Sequence, residues 1–222
     1  MKNCKEEQNI VIVAHKFLTQ PDDDLVVFLN SKKYANVLHI KHSFADAPDR
    51  CSSFSWYRDG SILKESQTKN FNGWPEWLLC LKEFYFTIKL TRKTGVVWNY
   101  YIGMDGLCVL FGLLLRFVGR VKKVIYWAID FVPKKRFASY LKNKIYHAIN
   151  IYGYKHADEL WDLGVRMADA REKFLGIKKS DYKFHRVVPY GVWTKRIKKY
   201  NYEECEQKTL VFMGHLLEKQ GV

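Results

Sequence analysis

The 222-residue sequence lacks most of the short motifs that declare a chemistry. The segment after its first apolar run, Ala14 to Pro21, holds no glycine. A dinucleotide GxGxxG is therefore absent, and so is a GxxxxGK[ST] phosphate loop. No HExxH, nucleophile elbow or EF-hand loop occurs. The five cysteines (Cys4, Cys51, Cys80, Cys108, Cys205) are odd in number, widely spaced and form no CxxC. That excludes a disulfide scaffold and argues against a zinc site, so no metal is expected; reduced thiols fit a cytoplasmic compartment. The chain opens polar and acidic, without a secretory signal. Its longest apolar run, Leu107 to Leu115, is stopped by Arg116 and is too short to span a bilayer.

Charge and aromatic rings are abundant instead. Apolar residues make up 48% and charged residues 27%, a globular balance. Lys and Arg (37) exceed Asp and Glu (23), leaving +14. The excess is uneven: residues 1–110 carry 14 basic and 12 acidic side chains, residues 111–222 carry 23 and 11. The second half therefore carries the field that attracts phosphate, anionic lipid or nucleic acid. Its clusters are Arg120 to Lys123, Lys134 to Arg136, Lys178-Lys179 and Lys195 to Lys199. Each taken singly reads equally as a solvated helix end or loop.

Strand and helix patterns alternate. Asn9–Ala14 is a β-branched run of strand length. Pro21 followed by three aspartates predicts a helix start, because acidic side chains suit the positive end of the helix dipole. Asn36–His42 reads as a strand, and Arg58-Asp59-Gly60 as a hairpin turn between Phe54–Trp56 and Ser61–Leu63. Helices follow from Trp74 to Thr91, Asp105 to Gly119, Phe137 to Tyr154 and Val165 to Leu175. Strands are expected at Val96–Ile102, Lys123–Ile129, Glu159–Trp161, Phe184–Val188 and Thr209–Met213. This order predicts an α/β fold, a doubly wound, mostly parallel Rossmann-like sheet covered on both faces. Ligands of such sheets bind beyond the carboxyl ends of the strands. His39 and His42, three apart on one strand, point to opposite faces and are poor co-ligands. Trp98, Tyr100, Tyr126 and Trp127 read as core more readily than as sugar-stacking rings.

The late motifs carry a resemblance. His156-Ala-Asp-Glu-Leu-Trp-Asp-Leu-Gly164 precedes a helix, then comes Phe184-His-Arg-Val-Val-Pro-Tyr-Gly-Val192, then a linker, then Thr209-Leu-Val-Phe-Met-Gly-His-Leu-Leu-Glu-Lys-Gln-Gly-Val222. Upstream stand Tyr101-Ile-Gly-Met-Asp105 and Lys123 to Pro133. In order and spacing, Val96 to Val222 resembles family four glycosyltransferases of the two-domain GT-B architecture. The resemblance implies an acceptor-side Rossmann-like domain over residues 1–205, with residues 206–222 the first strand and helix start of a truncated donor-binding domain. It implies a hexosyl-type transferase moving sugar from a nucleotide-diphosphate donor to a glycan or lipid-linked acceptor, as in cell-surface glycan synthesis, without a cofactor. The chain as it stands is expected to be inactive alone.

Departures accompany the matches. His215 stands where the family has Arg, Gln220 where it has Lys, with Lys219 one position earlier. Asp130 stands where many members have His.

Sugar transfer builds negative charge on the leaving diphosphate, so positioning and electrostatics dominate. Gly214, His215 and Lys219 are the implied diphosphate-binding residues, a helix N-terminus with a basic side chain being suited to that anion; Gly214 also reads as an ordinary strand-end turn. Asp105 and Asp130 lie just past predicted strands, where either could orient or deprotonate an acceptor hydroxyl. Asp105 reads equally as the N-cap of the following helix, and Asp130 as a turn residue before Pro133. His15 and Lys16 are cleft candidates by position. The apolar helix at Leu107–Val118, followed by Arg120, Lys122, Lys123 and Lys134 to Arg136, suits either burial under the sheet or docking on the anionic inner face of the cell membrane. The rival classes are a basic nucleic-acid-binding protein and a non-catalytic α/β module. The first has no RNP-like, helix-turn-helix or zinc-finger signature, and no nucleic-acid partner is expected.

Overall fold

The computed structural model describes residues 8–16, 21–44, 47, 49–191, 198, 200–204 and 206, with the side chains of Lys16 and Tyr202 left aside. Residues 1–190 form one compact unit and residues 191–222 a second. Among its described residues the first unit holds eight strands and five α-helices: β1 (Asn9–Lys16), α1 (Pro21–Ser31), β2 (Asn36–Ser43), β3 (Ser53–Arg58), β4 (Ser61–Gln67), α2 (Glu76–Lys93), β5 (Trp98–Gly103), α3 (Gly106–Phe117), β6 (Val121–Ala128), α4 (Tyr140–His156), β7 (Glu159–Asp162), α5 (Arg166–Leu175) and β8 (His185–Val187). Of the second unit, the described part includes a short 3-10 turn at Tyr202–Glu204. The strand expected at Thr209–Met213 lies outside the described residues.

One sheet runs β4-β3-β2-β1-β5-β6-β7-β8. The β1–β2, β1–β5, β5–β6, β6–β7 and β7–β8 pairs are parallel. The β2–β3 and β3–β4 pairs are antiparallel. The sheet is therefore mixed and mostly parallel, with an antiparallel hairpin at one edge. Asp59 (φ 51°) and Gly60 (φ 84°) both occupy the left-handed region, as a two-residue hairpin turn requires. Strand β4 is exposed along its whole length and carries Lys64 and Glu65, charges that blunt an open edge.

Alternation sorts the side chains into two cores. Val11 and Val13 of β1, Leu38 and Ile40 of β2, Tyr101 of β5, and Val124, Tyr126 and Ala128 of β6 face the layer made by α2, α3, α4 and α5. Ile10, Ile12, Ala14, Val37, Ile102, Ile125 and Trp127 face the other side, where α1 supplies Val26 and Leu29. Burying each large apolar side chain contributes about 1.5–3 kcal/mol. Trp98, Tyr126 and Trp127 are buried, in keeping with a core role.

Helix α3 sits centrally in its layer, and its apolar length is spent there. Cys108, Val109, Phe111, Leu113 and Leu115 are buried, while Leu114, Phe117 and Val118 are exposed. Gly112 lies against the Tyr101 ring so closely that a Cβ would collide with it. The two cation groups flanking β6 do not share one end of the sheet. Lys122 and Lys123 stand in the amino-terminal part of β6, and Lys134 to Arg136 follow its carboxyl end, with the last five residues of the strand, about 16 Å, between them. Among the described residues, no helix is long and apolar enough to cross a membrane.

Candidate active site

Three neighbouring strands bring polar side chains to one level of the sheet. Val13 is in register with Gly103, so His15 and Asp105, each two residues further on, leave the carboxyl edge side by side. His15 is directly opposite His42 of β2. By alternation His15, His42 and Asp105 all continue the face that packs against α2 and α3. The result is a cluster at the carboxyl ends of β2, β1 and β5, the edge of the sheet at which open parallel sheets bind ligands.

His15 is held on both ring nitrogens. Its Nδ1 lies 2.6 Å from Asp105 Oδ2, and its Nε2 lies 3.3 Å from Oε2 of the buried Glu83 on α2. Phe44 stacks on the ring at 5.3 Å between centroids. Asp105 does two jobs. Its Oδ1 accepts from the backbone N–H groups of Leu107 (2.9 Å) and Cys108 (3.0 Å), capping α3, while Oδ2 takes His15. The N-cap reading and the site reading of Asp105 are thus both true of one carboxylate.

The electrostatics follow from this packing. Burial acts to lower the His15 pKa, but the adjacent Asp105 charge and hydrogen bond, with the Cys108 sulfur, carry it well above its ordinary 6.5. Burial would raise the Asp105 pKa, yet the His15 charge, the His15 hydrogen bond and the Cys108 N–H drive it well below its ordinary 3.8. His15 therefore rests as an imidazolium beside a carboxylate. His42 goes the other way: its complete burial, with His15 and Lys82 nearby, pushes its pKa well below 6.5. As a neutral ring it pairs with Ser52 Oγ (2.8 Å, Nδ1) and Thr87 Oγ1 (2.9 Å, Nε2). The Cys108 sulfur lies 3.7 Å from His15 Nδ1, but burial, and then the Asp105 charge, hold its thiol strongly protonated. That is the reverse of an activated nucleophile.

The other sequence candidates fall elsewhere. Asp130 lies past the end of β6, exposed, with Oδ2 2.9 Å from Arg136 Nη1. Lys16 ends β1, and its side chain is among those left aside. Gly214, His215 and Lys219 lie outside the described residues. Sequence reasoning missed Glu83, His42, Thr87 and Ser52. Glu83 had one legible signal, an acid in the apolar middle of a predicted helix whose other acid, Glu76, stands in the first turn; nothing linked it to His15. His39 faces the α1 side, as its separation from His42 predicts, and its Nε2 lies 2.6 Å from Asp22 Oδ2.

Among the described residues, two sets of side chains have the makings of metal ligands: His15, Asp105 and Cys108, and Asp22, Asp23 and His39, the donor atoms of each set lying within 4.8 Å of one another. In both sets those atoms are already engaged. His15 Nδ1 is matched to Asp105 Oδ2, His39 Nε2 to Asp22 Oδ2, and Asp23 forms an ion pair with Lys41. Compared with known proteins, the chain matches no family model, and no curated protein shows significant similarity to it.

Proposed function

We propose that this chain is the acceptor-side part of a glycosyltransferase, taking sugar from a nucleotide-diphosphate donor to a glycan or lipid-linked acceptor. The observation that carries the reading is the His15–Asp105 pair, 2.6 Å apart, at the carboxyl ends of adjacent parallel strands. The late-chain resemblance supports it, although it stops short of a family assignment.

The chemistry asks for a base beside an acceptor hydroxyl and for cations or N–H groups beside the diphosphate. His15 supplies the base. Asp105 holds Nδ1, leaving Nε2 to accept the hydroxyl proton as the acceptor oxygen bonds to the sugar carbon and the diphosphate departs with its electron pair. The imidazolium so formed is the state that Asp105 favours. Glu83, 3.3 Å from Nε2, accepts a hydrogen bond from that nitrogen once the ring has taken the proton. Donor phosphate falls to Gly214, His215 and Lys219 by resemblance alone.

Because the resting ring is protonated, the rate should rise with pH through the elevated His15 pKa, above 6.5. The test is transfer by the natural full-length protein from a panel of tagged nucleotide sugars onto soluble and lipid-linked glycans. Transfer is expected, with a loss of about 10²-fold or more in His15→Ala and Asp105→Asn. Asp130, tied to Arg136 in solvent, should lose less than about threefold as Asp130→Asn, well short of a general base's contribution. No transfer with any donor, or full activity in His15→Ala, would refute the assignment.

A further inference from the structure

The layer over the site has an outer surface that brings exposed apolar side chains together with cations. Helix α2 buries Leu79, Glu83, Thr87, Leu90 and Thr91 on its inner face. On the opposite face, Trp77 (63% exposed), Leu81 (56%) and Tyr85 (62%) stand four residues apart in a single stripe, with Trp74 exposed just before the helix. The stripe ends in cations. Tyr85, Ile88, Lys89, Arg92 and Lys93 line an open groove of about 500 Å³. The Lys89 ammonium lies 5.5 Å from the Tyr85 ring centroid.

The neighbouring helices repeat the pattern. Leu141 and Ile145 of α4 are exposed, as are Leu114 and Phe117 of α3. Acid is nearly missing from the three helices that bear this pattern: α3 and α4 contain none, Glu83 of α2 is buried, and Glu76 of α2 is matched to Lys142 at 2.8 Å, while α5 of the same layer carries Asp169 and Glu172. Large exposed apolar side chains mark an interaction surface. Indole and phenol rings beside lysine and arginine, without opposing acid, are complementary to the headgroup region of an anionic bilayer.

We propose that the outer face of α2 docks on anionic lipid membrane, with Trp77, Leu81 and Tyr85 entering the headgroup boundary. Lys89, Arg92 and Lys93 hold lipid phosphates over the groove. The surface differs from the docking alternative that the sequence offered at α3, most of whose apolar residues are buried in the core, while the cations around β6 lie toward its two ends. It does not depend on the transfer reading, because none of these side chains belongs to the His15 cluster.

Vesicle co-sedimentation of the whole chain tests it. Partition into vesicles containing about one-third phosphatidylglycerol should exceed that into phosphatidylcholine by about tenfold or more, and should fall with salt. The triple variant Lys89→Gln, Arg92→Gln, Lys93→Gln should lose about tenfold. The control triple Lys64→Gln, Lys69→Gln, Lys178→Gln should stay within about twofold, since cations far from the bilayer add little. Trp77→Phe preserves the helix and gives a second readout: bromolipid quenching of tryptophan fluorescence should drop relative to the parent chain. Equal binding to neutral and anionic vesicles would overturn the proposal. So would equal losses in the two triples, unchanged quenching in Trp77→Phe, or α2-dependent binding to an oligonucleotide but not to vesicles.

Discussion

At the scale of single residues, two histidines that face each other across adjacent strands carry opposite protonation, and stability should record both. The His15 pKa is raised on folding, so its contribution is complete below the unfolded value of about 6.5 and is lost as pH rises through the folded value. The Asp105 pKa is depressed, so its contribution is complete above about 3.9 and is lost as pH falls through its folded value. The ion pair is therefore fully effective between those two unfolded values. His42, with its lowered pKa, takes up protons more readily when unfolded and erodes stability as pH falls below about 6.5. The three together place the maximum near pH 6.5. His42→Gln should flatten the loss below that pH in urea titrations, at a cost of about 1–2 kcal/mol at neutrality from the disturbed Ser52 and Thr87 hydrogen bonds. An acid limb of unchanged slope in that variant would remove His42 from the explanation.

At the scale of elements, α3 shows why the sequence left its role open. Its pattern is apolar nearly all round, and periodicity has no face to report when a helix packs against a sheet and two other helices. The strands were legible because β-branched runs of their length have few other homes, and the hairpin because Asp59-Gly60 accepts positive φ. The caps were half legible: Asp105 advertises a helix start, while its second partner, His15, is 90 residues away. Gly112 gives a direct test of how tightly α3 sits. Gly112→Ala places a methyl group in the Tyr101 ring, and the strain should exceed the gain in helix propensity, destabilising by about 1–3 kcal/mol. Denaturant unfolding that showed Gly112→Ala to be as stable as the parent would mean that α3 and β5 are less closely packed than described here.

At the scale of the whole molecule, the order of strands does what no local motif does. The position of His15 alone named it a candidate; its partners depended on β1 lying between β2 and β5, a non-sequential neighbour relation that composition and spacing do not encode. Glu83 could not be linked to His15 for the same reason, since only the packing of α2 on this sheet face brings it to Nε2. The topology also gives α2 two faces with different work: Glu83 and Thr87 inward at the site, Trp77 and Tyr85 outward.

The central claim is that the carboxyl edge of the sheet holds a histidine charged by its neighbours and oriented for proton transfer. Its most direct test is the titration of the His15 imidazole by NMR, in the parent chain and in Asp105→Asn. Asparagine is as good an N-cap as aspartate, so the variant removes the charge while keeping the start of α3. The His15 midpoint should lie above 6.5 in the parent and fall back toward the ordinary histidine value in the variant. A parent midpoint at or below 6.5, or one that Asp105→Asn leaves unmoved, would contradict the account.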